Sequence, residues 1–262
     1  MTFASAMLAL AAATGQAAAA ETTSAAERQA YWALDGAADG QSPEYAGGNP
    51  LTLAGDASIY AATDDCAENP DCTPVTYPIV GSGDLLLDGD GDYAEAADPV
   101  VPSGAGFSVA AQVRLDADAA THDMTVLSQP GEHTSLFTLR YVAASKTWEA
   151  VVAHEDAVDA PTTTVSSSDT TSGLTSGVQA LALVYDEDAD QLRLYVDSYL
   201  ADSESLGGAD SWLSTRGLQV GRTVTAGAGS DYWAGEIDEV HTFAGVLTHD
   251  QLVFLRLGGV DV

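Results

Sequence analysis

Positive charge is what this chain most lacks. Eight lysine and arginine side chains stand against 39 aspartates and glutamates, Lys146 is the single lysine, and the formal net charge is −31. A surface of that sign repels phosphate backbones and anionic headgroups, which excludes nucleic acid and anionic membrane surfaces as partners. Salt or divalent cations screen such self-repulsion, so the charge suits an extracellular or halophilic setting. Cysteine is almost absent, with only Cys66 and Cys72 present. Two thiols fall short of a zinc centre's four ligands, and their five intervening residues miss the thioredoxin-like spacing of two. In an exported chain they read as one disulfide closing a small loop. Also missing are a Gly-x-Ser-x-Gly elbow, a phosphate loop, a dinucleotide fingerprint and a basic patch. The histidines, His122, His133, His154, His241 and His249, fall at no metal-ligand spacing.

Residues 1–20 carry no acidic or basic side chain, are rich in alanine and end in small residues before Glu21. They read as a secretory signal cut near Ala20, or as an Ala-rich linker, since a signal's basic start is absent. Alanine is a weak membrane residue, and Gly15 and Gln16 interrupt the run, which argues against a membrane span. Residues 21–29 read as a polar linker, and 30–262 as the domain. That length suits one large all-β unit. Within it, residues 61–82 read as an insertion, holding both cysteines and the prolines Pro70, Pro74 and Pro78.

Strand patterning is clearest at Phe107–Leu115. Phe107, Val109, Ala111, Val113 and Leu115 share one face, while Ser108, Gln112 and Arg114 share the other. Further strands are predicted at Val126–Gln129, Phe137–Tyr141, Trp148–Val152 and Gln191–Leu200. Val178–Asp186 is apolar on both faces, as a strand covered on both sides should be. Ile237 and Val240 lie three residues apart, so burying both in one strand needs an extra residue, a bulge at Asp238 and Glu239. Thr248 and Gln251 form a capping box that opens a helix over Asp250–Leu257, closed by Gly258 and Gly259. Asp88, Asp90 and Asp92 invite an EF-hand reading, but Tyr93 occupies the glycine position and Pro99 the chelating glutamate position.

Several stretches, in order, resemble the laminin G-like domains of the concanavalin A-like lectin/glucanase superfamily. These are the opening Tyr31-Trp32-Ala-Leu34-Asp35-Gly36, the hairpin from Leu85 to Tyr93, and Phe107–Leu115. Gly217–Arg222 and Trp233-Ala-Gly235-Glu-Ile237-Asp238-Glu239-Val240 complete the series. Gln112, Val178 and Ala180 replace family tryptophans and a histidine, and Asp197-Ser198 replaces the usual Asn-Gly turn. The resemblance implies an all-β, two-sheet antiparallel jelly-roll sandwich with a short C-terminal helix, and inward packing of Leu85, Leu87 and Tyr93. It further implies structural calcium held by Asp238 with oxygens of Asp35 and Gly36, and Asp39 and Glu236 as second-choice ligands. The function implied is a non-catalytic extracellular module that binds a carbohydrate or protein surface through loops at the sandwich rim. A structural module of a surface layer or larger particle is the rival. Retaining glucanases of the superfamily place two carboxylates on one strand, and Glu236-Ile-Asp238-Glu239 resembles the start of that motif. Val240 and His241 stand where the second carboxylate belongs. Trp148, Trp212 and Trp233 would stack on sugar rings if exposed, or pack in the core if not.

Overall fold

A computed structural model describes residues 26–61, 77–101, 106–168, 177–209 and 211–259. Residues 1–25 and both cysteines lie outside the described residues, as does most of the stretch read as an insertion. In chain order the strands are β1 (Glu27–Trp32), β2 (Gln41–Ser42), β3 (Leu51–Ala54), β4 (Ser58–Ala61), β5 (Gly83–Asp88) and β6 (Tyr93–Ala96). Next come β7 (Phe107–Leu115), β8 (Met124–Pro130), β9 (Ser135–Val142), β10 (Thr147–Ala153), β11 (Thr162–Ser166) and β12 (Gln179–Asp186). The last are β13 (Gln191–Val196), β14 (Tyr199–Ser205), β15 (Gln219–Val220), β16 (Thr223–Thr225), β17 (Ala228–Ser230) and β18 (Ala234–Ala244). Helix α1 (His249–Arg256) follows.

Two antiparallel sheets face each other. The first runs β14-β13-β12-β7-β18-β5-β4, with β1 also paired to β18. The second runs β11-β10-β9-β8-β15-β6-β3-β2. This is the jelly-roll sandwich that the alternation and the resemblance imply. One face of β7, from Phe107 to Leu115, enters the core between the sheets together with Leu181, Leu183, Phe137, Trp148 and Trp233. Its other face is covered too. Ala110, Ala182, Val184 and Phe243 pack beneath Leu252 and Leu255 of α1. That second layer explains why β12 is apolar on both faces: each face has a roof.

The helix begins with the capping box read from the sequence. Thr248 accepts from the Gln251 N–H, and the Gln251 side chain accepts from the Thr248 N–H. Burial of Leu252 and Leu255 stabilises the docked helix by roughly 1.5–3 kcal/mol each. The turn from β13 to β14 is tight even without Asn-Gly. Asp197 and Ser198 both take left-handed backbone, with φ of 52° and 68°, as a type I′ hairpin requires.

Two expectations need correction. β1 runs back to Glu27, inside the stretch read as linker, because pairing with Phe243 and Ala244 uses backbone groups and is indifferent to the polar side chains of Glu27 and Arg28. Tyr93 does not pack inward with Leu85 and Leu87. It lies on the outer face of the second sheet, with the Arg222 guanidinium 3.2 Å from its ring centroid. The glycine-rich turn at Gly89 and Gly91 carries the chain from one sheet to the other, so alternation in β5 does not propagate into β6.

Candidate functional site

Strand β18 changes partners midway. Ala234–Ile237 pair with β5, whereas Val240–Ala244 pair with β1. β7 accompanies it along the other side, and there Asp238 to His241 oppose only Gln112 to Ala110, which is one extra residue on β18. The extra residue is Glu239, with φ of 49°. The bulge lets Ile237 and Val240 both enter the core and turns Asp238 and Glu239 into the gap between the start of β5 and the end of β1.

The acids in that gap fasten chain segments together. Asp238 Oδ2 accepts from the Val80 N–H at 2.9 Å, and Asp84 Oδ1 from the Ile79 N–H at 2.8 Å. Asp35 Oδ1 accepts from the Ser82 N–H, and from its hydroxyl at 3.1 Å. Arg114 reaches Glu236 at 3.3 Å, stands 4.0 Å from Asp84, and donates to the Tyr77 carbonyl at 3.1 Å. Asp238 and Asp84 are fully buried side by side, close enough for a protonated carboxyl of one to hydrogen-bond the other. Burial, and then the charge of Asp84, push the Asp238 carboxyl well above the usual range. Burial pushes Asp84 up as well, against the pull of the Ile79 N–H and of Arg114.

A second polar group continues from the bulge beneath α1. Tyr31 donates to Glu239 Oε1 at 2.9 Å and stacks on His241 with centroids 4.4 Å apart. His241 Nε2 lies 3.4 Å from Glu239 Oε2. Burial holds His241 below its ordinary value despite the adjacent carboxylate, so the ring is neutral near pH 7. The Tyr31 hydroxyl is pushed up by burial and by the charge of Glu239. Gln112 donates to the Leu255 carbonyl at 3.1 Å and ties the helix to the sheet.

The structure thus brings Asp35 and Asp238 onto one short segment, residues 79–82, but the five expected metal donors do not converge. Glu236 is held by Arg114, Gly36 lines an open hollow of about 570 Å3, and Asp39 sits exposed in the Ala38–Gln41 turn. Among the described residues no three His, Cys, Asp or Glu side chains gather as a metal ion requires. Three participants escaped the sequence reading: Asp84, Arg114 and Tyr31. An acid that opens an otherwise apolar strand, as Asp84 does before Leu85–Leu87, was the signal available.

Asp238 and Glu239 are sealed, at 0% and 4% exposure, so a polymer has no route to them as a carboxylate pair. The tryptophans offer no open face: Trp148 and Trp233 are core residues, and half-buried Trp212 donates to the Ala153 carbonyl at 2.8 Å. The outer face of the second sheet has a polar hollow of about 340 Å3. There Arg222 bonds Gln219 at 2.8 Å and Glu95 at 3.1 Å while covering Tyr93, so that ring is closed to a ligand. No helix among the described residues is long and apolar enough to cross a membrane.

A laminin G family model, described as the concanavalin A-like lectin/glucanases superfamily, matches residues 88–253. No curated protein matches the sequence. Among solved structures, the receptor binding domain of botulinum neurotoxin C/D mosaic serotype aligns with a TM-score of 0.63 at 11% identity, over 88% of this chain and 51% of that one. The serotype D binding domain gives a TM-score of 0.63 at 10% identity, over 88% and 52% of the respective chains. The serotype G binding domain gives 0.60 at 13%, over 88% and 51%. The likeness is one of fold, and this chain spans about half the length of those domains.

Proposed function

This chain belongs to the concanavalin A-like lectin/glucanases superfamily, and from that membership we propose that it is an extracellular, non-catalytic module that binds a carbohydrate or protein surface. The observation that carries the reading is the burial of Asp238 and Glu239 under β1 and residues 79–82, which leaves Glu236 as the one partly exposed β18 carboxylate, held by Arg114 and without an accessible acid beside it on the strand. Rim loops on a rigid sandwich are where binding residues accumulate. The fold shared with receptor binding domains supports a binding role, and the net charge of −31 supports work outside the cell on uncharged partners. The test is binding of the whole chain to immobilised glycans alongside hydrolysis assays on β-glucans. Retention without turnover is the expected result. Robust hydrolysis that is lost in Glu236→Gln would overturn it.

Two narrower proposals accompany this one. Cys66 and Cys72 form one disulfide, stabilising the chain by roughly 2 kcal/mol through loop closure. Mass spectrometry of exported protein should find both thiols oxidised, and free thiols there would refute the bridge. The second is a structural calcium ion on Asp238 with oxygens of Asp35 and Gly36, and with Asp39 and Glu236 as second-choice ligands. Chelation should then lower the melting temperature by several degrees, and Asp238→Ala should abolish that dependence. A melt indifferent to chelator, in protein already shown to be metal-free, removes the ion.

A further inference from the structure

We propose that the cavity between the β13–β14 hairpin, the end of β11 and the last turn of α1 is a subsite for one pyranose unit of a neutral glycan, a site that rests on the binding-module reading and gives it a location. The cavity holds about 450 Å3 and is lined by Trp148, Gln179, Asp197, Tyr199, Leu200 and Arg256, with Ser167 and Ser168 at one side. Pockets that take small ligands begin at about 300 Å3, so this one has room for a sugar ring.

The fold makes the cavity where the edges of the two sheets meet. β11 ends the second sheet and β14 ends the first, and the Ser166 N–H donates across to Asp202 Oδ2 at 2.9 Å. At the floor, Trp148 is locked by stacking on Trp233, with centroids 6.0 Å apart. Its indole N–H donates to Gln179 Oε1 at 3.1 Å. Only the amide oxygen can accept that bond, so the orientation of Gln179 is fixed and its NH2 group is left to donate to a ligand. At the mouth, Tyr199 and Leu200 stand in solvent at 68% and 54% exposure. The turn that presents them puts two non-glycine residues in left-handed backbone, at on the order of 1–2 kcal/mol each. It is anchored to β12: Asp197 Oδ1 accepts from the Ala180 N–H at 3.1 Å, and the Asp197 N–H donates to the Ala180 carbonyl at 2.7 Å. Across from it, Arg256 Nε lies 4.0 Å from Asp197 Oδ1, beyond hydrogen-bond range, with both side chains partly exposed.

That set matches the two faces of a sugar ring. The ring's C–H face packs on an exposed aromatic and an adjacent aliphatic side chain. Its vicinal hydroxyls need a donor and an acceptor side by side, which Arg256 and Asp197 supply, with the Gln179 amide as a further donor. The ligand is neutral because the one cation in the lining is balanced by Asp197, while the rest of the chain repels acidic sugars.

The experiment uses the full chain and a panel of neutral oligosaccharides of glucose, galactose, mannose, xylose and N-acetylglucosamine, with sialyl and uronyl counterparts. Binding is read by array and then by tryptophan fluorescence, since Trp148 forms the floor. Tyr199→Ala and Gln179→Ala should each weaken the best neutral binder by roughly tenfold or more. Tyr77→Ala removes an equally exposed tyrosine outside the cavity and should leave affinity within about twofold. Thermal melts confirm that all three variants fold. Unchanged binding in both cavity variants would overturn the subsite and leave the module reading intact. Preference for acidic sugars would overturn the ligand class, and a wild type that retains no saccharide would overturn both subsite and carbohydrate binding.

Discussion

Asp238 decides how the bulge is read. A carboxyl buried without a cation, beside Asp84 and Glu239, is held protonated, so its pKa in the fold lies above its unfolded value. Such a group contributes stability that is complete below the unfolded pKa, near 4, and is lost as pH rises through the folded value. His241 has the opposite sign. Its value is depressed, so its contribution is present above about 6.5 and is lost as pH falls below that. Asp238→Asn copies the protonated carboxyl. In metal-free protein it should therefore melt no lower than wild type at pH 8 and flatten the pH dependence between 5 and 9. Destabilisation at pH 8 that vanishes at low pH would show instead that the carboxylate is used ionised. Gly235 is a second fixed point. Its φ is 126°, and a Cβ there would lie 2.1 Å from the Arg114 carbonyl oxygen. Gly235→Ala should cost about 3 kcal/mol or more in denaturant unfolding, through strain and separation of β18 from β7.

At the scale of elements, the sequence was most legible where local chemistry decides. The three-residue step from Ile237 to Val240 located the bulge, and Thr248 with Gln251 located the helix start to within a residue. Less was readable where backbone pairing or sheet crossing decides, as with the polar start of β1 and the outward turn of Tyr93. The acid cluster was half legible: Asp35 and Asp238 do meet one segment, but Asp84 and Arg114 join them across strands that only the fold makes neighbours. The rim cavity was illegible, because residues 148, 179, 199 and 256 share no pattern in the chain. Helix α1 tests the layering. Leu255→Ala should cost 2–5 kcal/mol by emptying the second apolar layer, while Thr248→Ala should cost only about 1 kcal/mol by removing the cap. Equal effects in equilibrium unfolding would contradict the account of α1 as a roof over β7 and β12.

For the whole molecule, charge and architecture work together. A chain at −31 cannot spread a basic binding face, so its few arginines are spent singly: Arg114 at the bulge, Arg222 over Tyr93, Arg256 at the rim. The bulge closes Asp84, Asp238 and Glu239 inside the sandwich. The central claim is that this protein binds without catalysing. It is tested most directly by incubating the full chain with the neutral oligosaccharide it retains best and following both bound fraction and chain length of the sugar. Saturable binding with the oligosaccharide recovered intact is the predicted result. Steady shortening of the sugar, abolished by Glu236→Gln, would contradict it.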